Sequence, residues 1–315
     1  MLLRTALAAV LAVFMASAAS AERLKVLATT GMIADAARVV GGDHVTVTAL
    51  MGPGIDPHAY RPTRSDIAAA LRADLVLHHG LNLEAQMTDF FDGLSSRIPV
   101  VAVGEGVPTA YRLADPEYPG QSDPHVWMAP LLWAHVVRTV EAAMAEAAPE
   151  HAEAFSAART AYEADLEALE TYAQEVVAAV PEPSRVLVTA HDAFGYFGST
   201  FGFEVEGIQG ISTESEAGLQ RIGALVELLV SRKIPAVFVE TSVSDRNIRA
   251  LQEGASAEGH SVAIGGELFS DAMGPPGTYE GTYLGMMDHN FTVIGRALGA
   301  DLPAAGRLGQ LTGSD

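Results

Sequence analysis

Two copies of one tripeptide mark the residues most able to do chemistry. Ile55-Asp56-Pro57-His58-Ala59-Tyr60 and Ser122-Asp123-Pro124-His125-Val126-Trp127 each set Asp-Pro-His before a small or apolar residue and an aromatic one. Proline fixes its own φ and biases its neighbour to extended backbone, so each loop is stiff before the histidine arrives. The aspartate can accept a hydrogen bond from the imidazole or from loop backbone and so orient the ring. Two further residues have equivalent placement in the second half of the chain. His191 follows the apolar run Val186-Leu187-Val188-Thr189-Ala190, and Asp271 lies in Gly266-Glu267-Leu268-Phe269-Ser270-Asp271-Ala272. Alone, the first reads as a satisfied histidine at a strand end and the second as a turn former. Brought together, His58, His125, His191 and Asp271 offer three imidazoles and one carboxylate, a donor set that suits Zn²⁺ or Mn²⁺.

The other histidines carry weaker signals. His78 and His79 end an apolar run, and adjacent residues of an extended chain point to opposite sides, so both cannot easily reach one ion. One of them could approach the cleft in support, although a structural role is the stronger reading. His289 reads as structural, and His44, His135, His151 and His260 as solvated residues of helix or turn surfaces. Glu240 and Glu267, at or after strands, could support the site. Trp127 and Phe194 read as walls of a cleft.

These loops need elements to hold them. A β-rich run from Leu24 through Thr30 that ends in Gly31 reads as a strand, as do Val45 to Leu50, Leu75 to Leu77 and Pro99 to Val103, and helices are expected at Met32 to Val40 and Asp66 to Ala73. Strands alternating with helices argue for parallel βαβ units. Pro149 to Val180 differs. It has no glycine and no internal proline, and Phe155, Tyr162, Leu166, Leu169, Val176 and Val180 recur at helical spacing. Such a helix spans roughly 45 Å and reads as a rigid connector. The βα rhythm then resumes, with strands at Arg185 to Thr189, Ala236 to Glu240 and Ser261 to Ile264. Helices are expected at Glu216 to Ser231, Asp245 to Glu258 and Leu284 to Leu298. The expected architecture is α/β: an N-terminal lobe over 22–148, a connecting helix over 149–180 and a C-terminal lobe over 181–315. Each lobe holds a mostly parallel sheet, and the ligand cleft lies between them.

Composition bounds the function. Of 315 residues 49% are hydrophobic, which excludes a disordered chain. With 39 acidic against 19 basic residues the net charge is −20, which argues against nucleic acid and against anionic membrane surfaces. There is no cysteine, so disulfides, thiolate zinc sites, iron–sulfur clusters and lipid attachment through a thiol are all excluded for these residues. Residues 1–21 read as a cleaved secretory signal, with Arg4 in the n-region, a short apolar core and Ala19-Ser20-Ala21 as the cleavage site. The expectation is a free, unlipidated periplasmic protein.

The same motifs resemble those of the TroA-like family, periplasmic zinc/manganese receptors of ABC transporters. The resemblance covers essentially the whole mature chain. Beyond the two Asp-Pro-His loops it rests on Thr29-Thr30-Gly31-Met32-Ile33, on Thr189-Ala190-His191-Asp192-Ala193-Phe194-Gly195-Tyr196-Phe197 and on Gly266 to Gly274. It implies that His58, His125, His191 and Asp271 are the metal ligands. It also implies that the chain is a high-affinity receptor and no enzyme, and that its partners are a membrane permease and cytoplasmic ATPase. Manganese-selective members typically carry glutamate at the third position, whereas zinc-dedicated ones often carry a His-rich loop before the second ligand. Here the third position is His191, and Gly104 to Gln121 holds no histidine, so the metal stays open between zinc and manganese. The competing readings are a metallohydrolase using the same cluster, and a metallochaperone or adhesin. Against the first, no HExxH, GxSxG or GxxxxGK motif is present. A monomer is expected.

Overall fold

The computed structural model describes residues 22–214 and 218–312. The expected signal over 1–21 and the first residues of the helix expected from Glu216 lie outside the described residues. The first half contains β1 (Leu24–Ala28), α1 (Gly31–Gly41), β2 (Val45–Ala49), α2 (Arg64–Ala70), β3 (Leu75–His78), α3 (Thr88–Ser95), β4 (Val100–Ala102) and α4 (Pro130–Ala147). After α5 (Ala152–Ala179) come β5 (Val186–His191), α6 (Gly195–Phe201), β6 (Glu204–Gln209), α7 (Leu219–Arg232), β7 (Ala236–Glu240), α8 (Arg246–Ala257), β8 (Ala263–Leu268) and α9 (Tyr283–Ala297).

The first sheet is fully parallel, in the order β2-β1-β3-β4. The second half has two parallel pairs, β5–β6 and β7–β8, with β5 lying beside β7. In β1 the burial runs through both faces apart from Lys25, and β5 is buried throughout, as strands sandwiched between helices must be. The α/β expectation and the parallel sheets are therefore what the chain adopts. β8 begins two residues later than the sequence pattern suggests and runs on to Leu268, carrying its last residue up to the Asp271 loop. Helices α3, α4 and α6 and strand β6 are additions to the pattern read from sequence. β6 is Glu-Val-Glu-Gly-Ile-Gln, with charge and glycine where a strand signal wants apolar residues.

Helix α5 is 28 residues long and preceded by one 3-10 turn at Pro149–His151. Its buried stripe of Phe155, Tyr162, Leu166, Leu169, Ala173 and Val176 packs against α1, α4 and α9. One apolar cluster runs continuously from Leu24 in β1 through this stripe to Phe291 and Ile294 in α9. Asp35 in α1 is buried and accepts the backbone N–H of Tyr283, the first residue of α9, at 2.9 Å. The Tyr283 ring stacks on Trp133 at 5.2 Å, and its hydroxyl donates to the Trp127 carbonyl at 2.8 Å. The two halves are thus fastened through the core, directly behind the Trp127 segment that bears His125.

Leu169 is fully buried at the middle of the α5 stripe. Leu169→Ala should lower unfolding stability by about 2–5 kcal/mol through lost transfer energy and a residual cavity, read from urea titration of the metal-free protein.

Candidate metal centre

His58, His125, His191 and Asp271 converge, although they come from four separated loops. Each offers one donor atom, these atoms all lie within 4.8 Å of one another, and all four residues are buried. His58 Nε2 is 3.4 Å from His125 Nε2, and His125 Nε2 is 3.4 Å from Asp271 Oδ1. His191 Nε2 is 3.2 Å from Asp271 Oδ2, and His58 Nε2 is 3.9 Å from the same oxygen. An ion held tetrahedrally with arms of about 2.0–2.1 Å needs donors roughly 3.3–3.4 Å apart. Two of these four separations fall in that range and the one from His191 is slightly shorter, with Asp271 facing His125 through Oδ1 and His191 and His58 through Oδ2. His191 Nε2 and both Asp271 oxygens are buried without a hydrogen-bond partner among the described residues. Buried polar atoms are otherwise almost always bonded, so the cluster fits a cation on donor chemistry as well as on distance.

The two Asp-Pro-His loops position their histidines differently. Asp123 Oδ1 accepts both the backbone N–H and the ring Nδ1–H of His125, at 2.9 and 2.8 Å. That fixes the tautomer and leaves Nε2 facing the cluster. Asp56 Oδ1 accepts only the backbone N–H of His58, at 2.8 Å, while Oδ2 accepts the Thr213 hydroxyl at 2.6 Å. His191 is held as His125 is, by a more distant carboxylate: Glu240, at the end of β7, accepts its N–H at 2.9 Å and its Nδ1–H at 2.5 Å. Of the two glutamates suggested by sequence, Glu240 supports the site, whereas the Glu267 side chain is exposed on β8. Close packing seats the His191 loop further. A Cβ on Gly207 of β6 would stand 2.5 Å from the Asp192 amide nitrogen, so only glycine lets the strand approach there.

Asp271 is held through its neighbours. The Trp127 indole donates to the Ser270 carbonyl at 2.8 Å, and the Asn290 side chain of α9 bonds both the N–H and the carbonyl of Phe269. The Trp127 ring also lies edge-on to His125 at 5.1 Å, the wall expected of it. Phe194 is buried against Phe197. His79 sends its ring to the Pro124 carbonyl at 2.7 Å and so braces the His125 loop from behind, while His78 stacks on Phe91 at 4.1 Å. Only one of this pair approaches the centre, as alternation along a strand requires. His289 bonds the Glu267 carbonyl, a structural contact. His44, His135, His151 and His260 are half-buried rather than solvated. His44 and His151 stack on each other at 4.0 Å, and His260 bonds the Ile234 carbonyl. Asn290 and Thr213 were not legible as site residues, since nothing in their local sequence distinguishes them.

Burial and charge then set the protonation of the cluster. Burial drives the His58 imidazole down to about 3, against the opposing pull of Asp271, so it is neutral. Burial acts the same way on His125, but Asp123 and Asp271 overcome it and push that ring up to about 9. His191 is buried too, and Glu240 and Asp271 hold it well above the usual histidine range. Burial would raise Asp271, yet the adjoining His191 and His125 keep it well below the usual carboxylate range. Without an ion, the surroundings favour the protonated form of His125 and His191 and the ionised form of Asp271.

Comparison with known proteins places this geometry. Residues 26–297 match the family described as ZnuA, zinc-uptake complex component A, periplasmic. The manganese-binding lipoprotein MntA of Bacillus subtilis is 48% identical over 278 residues, 88% of this chain and 90% of the relative. The zinc-binding protein TroA of Treponema pallidum is 44% identical over 273 residues, 87% of this chain and 88% of the relative. The solved structure of the periplasmic zinc-binding protein TroA from Treponema pallidum has a TM-score of 0.85. It covers 88% of this chain and 99% of that one at 44% identity.

In metal-free protein, His125 should titrate near pH 9 by NMR, and Asp123→Asn should lower that value by removing the nearest negative charge. A raised folded-state pKa stabilises the fold below the ordinary histidine value and ceases to do so as pH rises through about 9. Metal-free protein should accordingly lose stability between about pH 7 and 9, and Asp123→Asn should lose less over that interval.

Proposed function

Since the chain belongs to the ZnuA family of periplasmic zinc-uptake components, we propose that it captures a divalent ion on His58, His125, His191 and Asp271 and surrenders it to a membrane permease. It is a metal-binding substrate receptor of an ABC transporter, with zinc or manganese as the transported cargo. The observation that carries the ligand assignment is the convergence of four buried donors within 4.8 Å of one another. Four protein donors leave no open position for an activated water, which supports capture over hydrolysis. We therefore read the chain as a carrier rather than an enzyme. We also read residues 1–21 as a cleaved leader and the mature protein as a periplasmic monomer. MntA of Bacillus subtilis is named a lipoprotein, but this sequence holds no cysteine, so the form proposed here carries no lipid on a thiol. Intact mass of the exported protein tests this, and a chain beginning at Glu22 is expected.

Capture runs as an exchange. The arriving ion gives up water for imidazole nitrogens and the Asp271 carboxylate. His58 is already neutral, whereas His125 and His191 must first release protons. Glu240 and Asp123 hold the Nδ1 protons throughout, so the protons lost are those on Nε2. Two protons then leave as one divalent cation enters, and the charge inside the cleft is conserved. The permease and ATPase complete the transporter. The Irving–Williams order places zinc above manganese on three nitrogens and a carboxylate.

Three measurements test this reading. His58→Ala and His125→Ala should each weaken zinc binding by more than the roughly 10–100-fold that loss of a supporting residue such as Glu240 costs, in competition against a chelator. Unchanged affinity in both would overturn the ligand set. Calorimetry in buffers of differing ionisation enthalpy should find between about one and two protons released per zinc at pH 7, and affinity rising with pH up to about 9, well above the ordinary histidine range. Finally, His191→Glu replaces a nitrogen donor by a harder oxygen, so zinc affinity should fall more than manganese affinity. Preferential loss of manganese would remove His191 from the shell.

A further inference from the structure

A cavity of about 270 Å³ opens beside the cluster, and His58 is the one of the four donors that lines it. His58 is 4% exposed, whereas His125 and His191 are 0% exposed. Through this cavity, water reaches the cluster at His58. Leu81 and Asn82, after β3, form one lip of this cavity, and Ile211, Ser212 and Glu214, after β6, form the other.

The first lip is fixed. Gly80, Leu81 and Asn82 have successive φ values of 78°, 53° and 62°, a left-handed run that leucine adopts only when its surroundings impose it. The buried Glu84 carboxylate imposes it here by accepting the N–H groups of His79 and Gly80, at 2.7 and 3.1 Å, and the Thr29 hydroxyl at 2.6 Å. Among the described residues, two hydrogen bonds fasten the second lip to the first half of the chain. Gln86 Nε2 donates to Glu214 Oε2 at 2.9 Å on the surface. Thr213 Oγ1 donates to Asp56 Oδ2 at 2.6 Å, half-buried. The second bond is the consequential one, because the other oxygen of Asp56 holds the backbone N–H of His58 at 2.8 Å. One carboxylate thus joins the lip over the cavity to the donor that lines it.

We propose that Thr213 is a positioning residue: through Asp56 it latches the 211–214 lip over the cavity, fixes His58, and sets how long a captured ion stays. This rests on the receptor reading above and adds to it the residue that governs release. Asp56 has no ring contact of the kind Asp123 has with His125, so the orientation of His58 depends on the backbone bond and on whatever keeps Asp56 still. Breaking the Thr213 bond removes that restraint and leaves the four donors chemically unchanged. The effect falls on the rate of departure, since the route out opens while the shell is intact.

The test uses Thr213→Val, which keeps shape and removes the hydroxyl, and Thr213→Ser, which restores it. Zinc-loaded protein is mixed with excess chelator in stopped flow. The valine variant should release zinc about tenfold faster than wild type, as expected for loss of one charge-assisted hydrogen bond, and the serine variant should match wild type. Amide exchange of His58, followed by NMR in the metal-free protein, should quicken in Thr213→Val alone, with the urea midpoint unchanged. Release from the valine variant within twofold of wild type, or a serine variant as fast as valine, overturns the latch. If wild type takes up neither zinc nor manganese, the receptor reading fails. The exchange measurement still decides the latch in that case, and unaltered His58 exchange overturns it.

Discussion

A carboxylate shut away from water keeps its charge only if positive charge or hydrogen-bond donors stand beside it, and the cost of leaving it alone is several kcal/mol. Asp271 is in that position. It is 2% exposed, and the imidazoles of His58, His125 and His191 stand 3.2–3.9 Å from its oxygens. The rest of the centre follows from that. His125 and His191 must approach with their Nε2 atoms, so their Nδ1 atoms must be occupied elsewhere, and Asp123 and Glu240 occupy them. On the proposed ligand set, a divalent ion would take the place of the two imidazolium charges that face Asp271, which conserves the net charge of the pocket. The scaffold answers the same demand at longer range. His79 steadies Pro124, Trp127 steadies Ser270 and Asn290 steadies Phe269, each fixing the backbone beside a donor rather than the donor itself.

Much of this was written in the sequence where local chemistry repeats. The doubled Asp-Pro-His announced two of the four residues, and the βα rhythm announced the parallel sheets. His191 and Asp271 were legible only through equivalent placement after strands, because each is ordinary in its own neighbourhood. The two aspartates of the doubled motif look identical in sequence yet do different work. Asp123 grips a ring, whereas Asp56 grips backbone and a distant threonine. That difference is set by a partner 157 residues away, beyond the reach of any local pattern. Strand β6 was hidden for a related reason. Its worth lies in Gly207, which lets the backbone of Asp192 come close, and a glycine lowers every strand signal.

Metal choice sits at a different level from metal position. Relatives of similar identity are named for manganese and for zinc, so overall likeness does not separate the two ions. The proposed donor set does bear on the choice, since three nitrogens and one carboxylate form a borderline site in which softness favours zinc. Availability of each ion outside the cell then acts upon that intrinsic bias.

The bond between Asp35 and the amide of Tyr283 spans 248 positions of the chain, and the aromatic stack behind Trp127 depends on the same helix. A growing polypeptide emerges from its N-terminus, so α1, the two Asp-Pro-His loops and α5 all exist before their last partner does. Until α9 is made, Trp133 lacks its stacking partner, Asp35 lacks its donor and the segment carrying Asp271 lacks the Asn290 contacts at Phe269. The nascent chain therefore displays histidines without a finished cage for them. The support that α9 gives to the Asp271 segment and to the Trp127 segment is thus tied by geometry to completion of synthesis.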